Sequence, residues 1–279
     1  MHNMNLKAGT TMKPNQRAFP RTRLGSLGAI SIAGLLLAGC ASTDPNAAAT
    51  SGTTASDKTR MTNSGFLSDY ARLKPLASSE AMQCWRTADL DLKKYNKVLI
   101  SRMVVTLKDG QGKGVDPTDL KTLTDYFQAS LVKAFAPQMP AVESPAADVL
   151  VLRIALTDLV PTSVGKSVTA TIVPFGFVAD AGAGAATGRP AGATPYLGET
   201  GVEMQFLDGG SASVLGECRD TEIGRKYAAD LNAGAAGAAE TWANGYMGSF
   251  DSWTYAKDAF DKWSAITAKV VTQLRATKA

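Results

Sequence analysis

Residues 149–156 read Val-Leu-Val-Leu-Arg-Ile-Ala-Leu, and this apolar run decides the predicted fold. Successive side chains of a β-strand point to opposite faces of a sheet, so the run would place apolar groups on both faces. Strands that are covered on both sides read in this way. The run therefore predicts a central strand, which begins directly after Asp148.

The sequence before this run predicts one strand and one long helix. Residues 98–105 are mostly β-branched or apolar, as is typical of a strand. Asp116 and Pro117 suit a helix N-cap followed by proline in the first turn. Apolar residues then recur at helical spacing, at Leu120, Leu123, Phe127, Leu131 and Phe135. We therefore expect an amphipathic helix over residues 117–135.

The sequence after the central run predicts further strands and a second helix. Residues 168–173 and 202–207 alternate like strands, and the second of these leads through Gly209-Gly210 into a returning strand over residues 213–219. An apolar stripe then predicts a helix over about residues 253–276. This order suits an α+β domain with a mainly antiparallel sheet and two long helices packed on one face.

The N-terminal sequence has the pattern of a signal peptide. Its basic residues are followed by an apolar run, residues 24–38, that is too short for a permanent membrane span. Leu37, Ala38, Gly39 and Cys40 resemble the lipobox of bacterial lipoproteins. In that family a diacylglycerol is attached to the cysteine thiol and the chain is cut before the cysteine, so Cys40 would carry the lipid. The alternatives are an ordinary secretory signal and a retained signal anchor.

The lipobox resemblance divides the chain into three segments. Residues 1–39 would be the lipoprotein signal peptide, residues 40–62 a flexible tether rich in Ala, Ser and Thr, and residues 63–279 a single α+β domain. The residue after Cys40 is alanine rather than aspartate. By the sorting rule that accompanies the resemblance, this implies the periplasmic face of the outer membrane rather than the inner membrane.

Charge and histidine content exclude several classes of function. Five of the 29 basic residues and none of the 25 acidic residues lie in residues 1–39, which leaves 24 basic against 25 acidic residues and a net charge of −1. Nucleic-acid binding therefore has no electrostatic support. The one histidine, His2, lies in the predicted signal peptide, which removes histidine-dependent triads and histidine metal ligands. We expect no cofactor and no metal.

Two cysteines, Cys84 and Cys218, remain once Cys40 is lipidated. Their spacing fits neither a zinc knuckle nor a CxxC redox motif. In the oxidising periplasm such a pair would form a disulfide. The alternative is two separate buried thiols.

Carboxylates are the remaining candidates for catalysis. Glu203 and Glu217 lie at comparable distances from the Gly209-Gly210 turn, so they would approach each other across neighbouring strands. Paired carboxylates hydrolyse glycosidic bonds, and an enzyme acting on cell wall or polysaccharide is one functional hypothesis. The alternative is that both glutamates, with Asp220 and Glu222, lie on the solvated face of a sheet.

Aromatic and small residues supply two possible contact surfaces. Trp242 and Tyr246 could bind a partner or simply cover the sheet, and we predict a structural role for Trp253 and Trp263. The Gly- and Ala-rich residues 181–192 lie in a long excursion over residues 161–200. The excursion predicts either a mobile low-complexity loop or a contact with membrane or partner, which includes assembly into a ring or pore.

Several of these motifs together resemble one bacterial lipoprotein family. They are Gly65-Phe66-Leu67-Ser68-Asp69-Tyr70 after a lipobox, Tyr95 before Val98-Leu99-Ile100, the helix over residues 117–135, Asp148-Val149-Leu150, the strand and turn over residues 203–208, and Asp261-Lys262-Trp263. The family is the uncharacterised lipoproteins with domain of unknown function 3313, and the likeness covers residues 63–276. The resemblance implies an envelope lipoprotein and supplies no catalytic residues.

The sequence therefore favours a non-enzymatic envelope lipoprotein. Such a protein would reach the membrane through its N-terminal lipid and act through contacts with other envelope proteins, as an accessory or assembly factor. The hexapeptide motif at residues 65–70 follows directly on a polar region, so we expect it to dock onto the domain.

Overall fold

A computed structural model describes residues 53–77, 79, 81–107, 115–172, 183–184, 186–190, 192–227 and 234–276 of the chain. Side chains of residues 169–172 are not among those described. The described residues form a mixed α/β domain with a mainly antiparallel eight-stranded sheet. None of the described helices is long and apolar enough to cross a membrane.

The strands of this sheet come from both ends of the domain. They are β1 (Thr54–Ser56), β2 (Lys74–Pro75), β3 (Gln83–Arg86), β4 (Lys97–Ile100), β5 (Val104–Val105), β6 (Val149–Val160), β7 (Glu199–Asp208) and β8 (Val214–Gly224). The main order across the sheet is β2-β3-β8-β7-β6-β4, with β1 also paired to β8 and β5 to β6. Only β4 and β5 run parallel to their neighbour, β6.

The helices are α1 (Pro117–Phe135), α2 (Val164–Ile172), α3 (Gly234–Gly248) and α4 (Thr254–Ala276). The predicted bounds of α1 are confirmed, and the side chain of Asp116 caps the helix by accepting a hydrogen bond of 2.7 Å from the Thr118 N–H. The C-terminal helix is confirmed to within one residue at its start.

The core lies between the sheet and the two long helices. The rings of Phe127 on α1 and Phe260 on α4 stack with centroids 4.5 Å apart, and Trp263 lies 6.1 Å from Phe127. These helices cover the alternate side chains of β6 and β7, which are fully buried: Leu150, Leu152, Ile154, Leu156, Val202 and Met204. We call this side of the sheet the helical face. On the other face of the run Val149 and Ala155 are also buried and Arg153 alone is exposed, which explains why the central run carries no clean alternation.

Two sequence predictions of secondary structure are wrong. Residues 168–173 do not form a strand, because residues 164–172 form α2; short β-branched runs fit either pattern. The strand predicted over residues 98–105 is interrupted between β4 and β5. The pairing with β6 shifts by one residue there, as at a bulge.

The tether predicted over residues 40–62 ends too late. Thr54–Ser56 form β1, which pairs with the C-terminal end of β8, and the Asp57 N–H donates to the Thr221 carbonyl. A polar strand is stable here because the edge of β8 offers its backbone groups as partners. Residues 40–52 of the predicted tether lie outside the described part of the chain.

Candidate functional site

Glu203 and Glu217 lie on the side of the sheet opposite the helices. Glu203 pairs with Arg219, and Gln205 pairs with Glu217, so the two glutamates are diagonal neighbours on one face. Both residues are 0% exposed. The hypothesis that they lie on a solvated face is therefore wrong. The reason is that residues 57–72, which we call the covering segment, cross this face between β1 and β2.

Glu203 holds the first half of the covering segment. One carboxylate oxygen accepts the Ser64 N–H at 3.0 Å, and the other accepts the hydroxyls of Ser64 at 2.5 Å and Tyr70 at 3.0 Å. Burial and the bond to this carboxylate raise the pKa of the Tyr70 phenol above its usual value. The carboxylate therefore meets a phenol that keeps its proton and donates it.

Glu217 holds the second half of the segment. It accepts the Ser68 N–H and hydroxyl at 2.8 and 2.9 Å, the Gln205 amide at 2.8 Å, and the Arg72 guanidinium at 2.7 Å. Burial by itself would raise the pKa of Glu217, but the bonds from Arg72, Ser68 and Gln205 outweigh it and lower the pKa. Arg72 also stacks 3.3 Å from the ring centroid of Trp85.

The family-like hexapeptide at residues 65–70 owes its composition to this docking. Gly65 has φ +86°, a left-handed conformation that favours glycine, and its N–H donates to the Tyr70 hydroxyl at 2.8 Å. Ser68 and Tyr70 reach the two buried glutamates. Phe66 lies beneath the Arg153 guanidinium at 5.1 Å. The motif is therefore a docking element, as we expected from the sequence.

The arrangement bears directly on the glycosidase hypothesis. The two carboxylates share a face, as catalysis would require, but all four of their oxygens accept hydrogen bonds from this chain. The covering segment occupies the place that a substrate would need. Within the described ranges, no group of three or more His, Cys, Asp or Glu side chains is placed to hold a metal ion.

Asp220 and Glu222 lie on the helical face of the same strand. Asp220 accepts the indole N–H of Trp263 at 3.0 Å, and Glu222 pairs with Lys262 at 2.9 Å. The Ser56 hydroxyl of β1 contacts both carboxylates, at 3.0 and 2.6 Å. Burial and the negative charge of Glu222 raise the pKa of Asp220 well above its usual value. Trp263 is buried and structural, as predicted.

Cys84 and Cys218 face each other across β3 and β8, with Cα atoms 4.1 Å apart, and they form a disulfide. The bond joins residues 134 positions apart in the sequence. It ties β3 covalently to β8, its neighbour in the sheet.

Trp242 and Tyr246 lie one turn apart on α3, and the structure brings them together. Their rings stack with centroids 5.4 Å apart, and Trp242 is 48% exposed. Tyr246 is half-buried and lies near Lys226, a fully buried lysine whose ammonium group also lies within 6 Å of the rings of Tyr196 and Tyr227. Tyr246 therefore connects the partly exposed indole of Trp242 to the interior.

The helix that carries this pair was not predicted. Residues of α3 are mainly Ala and Gly, and its one charged residue is Glu240. Apolar side chains on α3 remain exposed, at Ala235, Ala236, Ala239, Trp242, Ala243 and Met247. We call these residues the α3 surface. The alanine content was the available signal, since alanine is the strongest helix former.

Other predicted site residues lie outside the described part of the chain. These are Leu37, Ala38, Gly39 and Cys40, together with residues 173–182 of the excursion. The predicted loop at residues 181–192 is described only in part.

Comparison with solved structures gives weak likenesses. The chain is similar to a methionine variant of the PelC dodecamer from Paraburkholderia phytofirmans, with 11% identity, a TM-score of 0.29, and coverage of 61% of this chain and 98% of that chain. A DUF4136 family protein from Bacteroides thetaiotaomicron gives 10% identity and a TM-score of 0.26, with 60% and 94% coverage. At these TM-scores the likenesses carry no structural argument.

A search of the curated proteins finds no significant match.

The comparison with family models identifies the family. The model described as "Protein of unknown function (DUF3313)" matches residues 62–266, which include the hexapeptide motif, strands β2 to β8 and the first half of α4. The chain therefore belongs to the DUF3313 family of proteins of unknown function.

Proposed function

We propose that this protein is an envelope lipoprotein, anchored through Cys40 at the periplasmic face of the outer membrane, which acts by binding other envelope proteins. The predicted lipobox at residues 37–40 supports the anchor. The disulfide between Cys84 and Cys218 supports an oxidising compartment, because cytosolic proteins keep such thiols reduced.

The observation that carries partner binding is the α3 surface. Trp242 is 48% and Met247 64% exposed, on a helix whose buried residues are the glycines Gly245 and Gly248. Tryptophan is enriched among the residues that dominate binding energy at protein interfaces. Stacking on Tyr246 holds the indole in place, which reduces the conformational entropy lost on binding.

Catalysis is not part of this proposal. The carboxylates that suggested a glycosidase are engaged with the covering segment, and none of the residues of the α3 surface is acidic or basic. The described residues therefore support a binding role better than they support hydrolysis.

Metabolic labelling with radioactive palmitate tests the anchor. We expect label in the native chain and none in a Cys40→Ala variant. A Cys84→Ala/Cys218→Ala variant is the matched control, because it loses cysteines without losing the lipobox, and it should stay labelled. Label that persists in Cys40→Ala would overturn the proposed attachment site.

Site-specific photo-crosslinking in intact cells tests the partner surface. A photoreactive residue at position 242 should give reproducible protein adducts. The same residue at position 132 on α1 is the control, since Val132 is also apolar and 37% exposed. Equal adducts at the two positions, or none at position 242, would contradict binding through the α3 surface.

A further inference from the structure

An apolar cavity of about 230 Å³ opens between the second half of α4 and the helical face of the sheet, beside the disulfide. Ile266, Val270 and Leu274 line it from α4, and Phe206 and Leu215 line it from the sheet. It shares no lining residue with the α3 surface or the covering segment. The cavity is therefore a separate feature of the fold.

The cavity interior favours a hydrocarbon over water. The hydroxyl of Thr267, a polar group of its wall, already donates to the Met204 sulfur at 3.7 Å. An engineered apolar cavity of about 150 Å³ stays dry and binds benzene. By that measure, the present cavity accommodates about nine or ten carbon atoms.

The rim of the cavity carries positive charge. Lys74 on β2 and Arg86 on β3 both line it, and both side chains are exposed. Neither forms an ion pair with another described residue, and no described acidic residue lines the cavity. A ligand that places an anionic group at the rim would meet two cations and no repelling carboxylate.

We propose that this cavity binds a single-chain amphiphile, with the alkyl chain between α4 and the sheet and an anionic head group at Lys74 and Arg86. Fatty acids and lysophospholipids share this chemistry. The proposal goes beyond partner binding and does not depend on the lipid at Cys40, so either can fail without the other.

A chain-length series measures the fit of the cavity. Isothermal titration of the full chain carrying Cys40→Ala would use hexanoate, octanoate, decanoate and dodecanoate below their micellar concentrations. Each added methylene should lower Kd about fourfold until the chain fills the cavity near ten carbons, and longer chains should gain little. No binding of decanoate at millimolar concentration would overturn the proposal. Decanol against decanoate then separates the head-group contribution from that of the chain, and lysophosphatidate tests whether a phosphate head group binds in the same way.

Two variants locate the binding. Val270→Phe should fill the cavity and weaken decanoate binding at least tenfold, whereas Val132→Phe, at an exposed position of α1, should not. Ile266→Phe repeats the test if Val270→Phe unfolds. Lys74→Glu/Arg86→Glu should weaken decanoate at least tenfold and leave decanol unchanged, with Lys93→Glu/Lys133→Glu as the control. Decanoate affinity that is indifferent to Val270→Phe and Ile266→Phe would place the ligand elsewhere and overturn the assignment.

Discussion

The two faces of β8 are both buried, yet they are covered by different chemistry. On the helical face, Asp220 and Glu222 lie among the side chains of α4 and the apolar core. On the other face, Glu217 and Arg219 meet the covering segment, which contributes serines, a tyrosine and arginines. The apolar core therefore covers one face of β8, and a segment held by hydrogen bonds covers the other.

This difference predicts unequal resistance to opening. Apolar burial is non-directional and scales with area, so the helical face carries most of the stability. Each hydrogen bond of the covering segment contributes about 1 kcal/mol net, but a buried carboxylate that loses its donors costs more. We therefore expect the segment to detach as a unit before the sheet unfolds.

The largest expected effect is on the helical face. Trp263→Ala should lower the free energy of unfolding by about 3–5 kcal/mol, because it opens a cavity and removes the N–H donor of buried Asp220. Urea denaturation measures the change. Trp242→Ala is the matched control on α3 and should lower the value by no more than about 1.5 kcal/mol, the scale of one stacked aromatic pair. Similar losses in the two variants would contradict the assigned core.

Glu217→Gln should have a smaller and more local effect. It keeps the side-chain shape but loses the charge that meets Arg72, at a cost of about 1–3 kcal/mol. Hydrogen exchange should speed up in residues 64–72 and stay unchanged in α1. Glu143→Gln, an exposed residue, is the control. Uniform acceleration across the domain would show that the segment is not a separate opening unit.

The pH dependence of stability should have opposite signs on the two faces. The pKa of Glu217 is lowered by folding, so its stabilisation is present above about pH 4 and is lost as the pH falls. The pKa of Asp220 is raised, so its favourable contribution is present in acid and is lost as the pH rises.

Urea denaturation of variants over pH 3–8 separates these contributions. The free energy of unfolding of Glu217→Gln should fall least below that of the native chain at acid pH. The free energy of unfolding of Asp220→Asn, relative to that of the native chain, should be highest at neutral pH. The same trend in both variants would contradict the opposed environments.

The smallest effect is expected at Arg60, near the start of the covering segment. Its guanidinium bonds to buried Glu199 at 2.7 Å, but the side chain is 41% exposed and Arg189 also lies 3.8 Å from that carboxylate. Arg60→Ala should therefore cost less than about 1 kcal/mol. A loss as large as that of Glu217→Gln would mean that the segment is held mainly at this end.

The sequence predicted the elements whose pattern is complete within one segment. The apolar stripe and Asp116 cap of α1 needed no tertiary information, and neither did the central run that became β6. The family resemblance, too, rested on contiguous motifs. These features depend on local periodicity, which a single sequence displays directly.

The features that the sequence did not predict depend on residues that are distant in the chain. A carboxylate that alternates with apolar residues looks the same whether water or a polar segment covers it, so the burial of Glu203 and Glu217 was not predictable. Strand β1 is polar and forms because β8 offers it an edge. The cage of tyrosines around Lys226 joins residues from three separate stretches of chain, and no spacing rule reveals it.

The pairing of Thr54–Ser56 with β8 also limits the distance between the domain and a membrane anchor at Cys40. If Cys40 carries the lipid that we propose, about a dozen residues separate it from the first described residue, and a chain of that length spans at most about 45 Å. The domain would then stay within a thin layer above the bilayer. Any protein that it recruits must enter that layer.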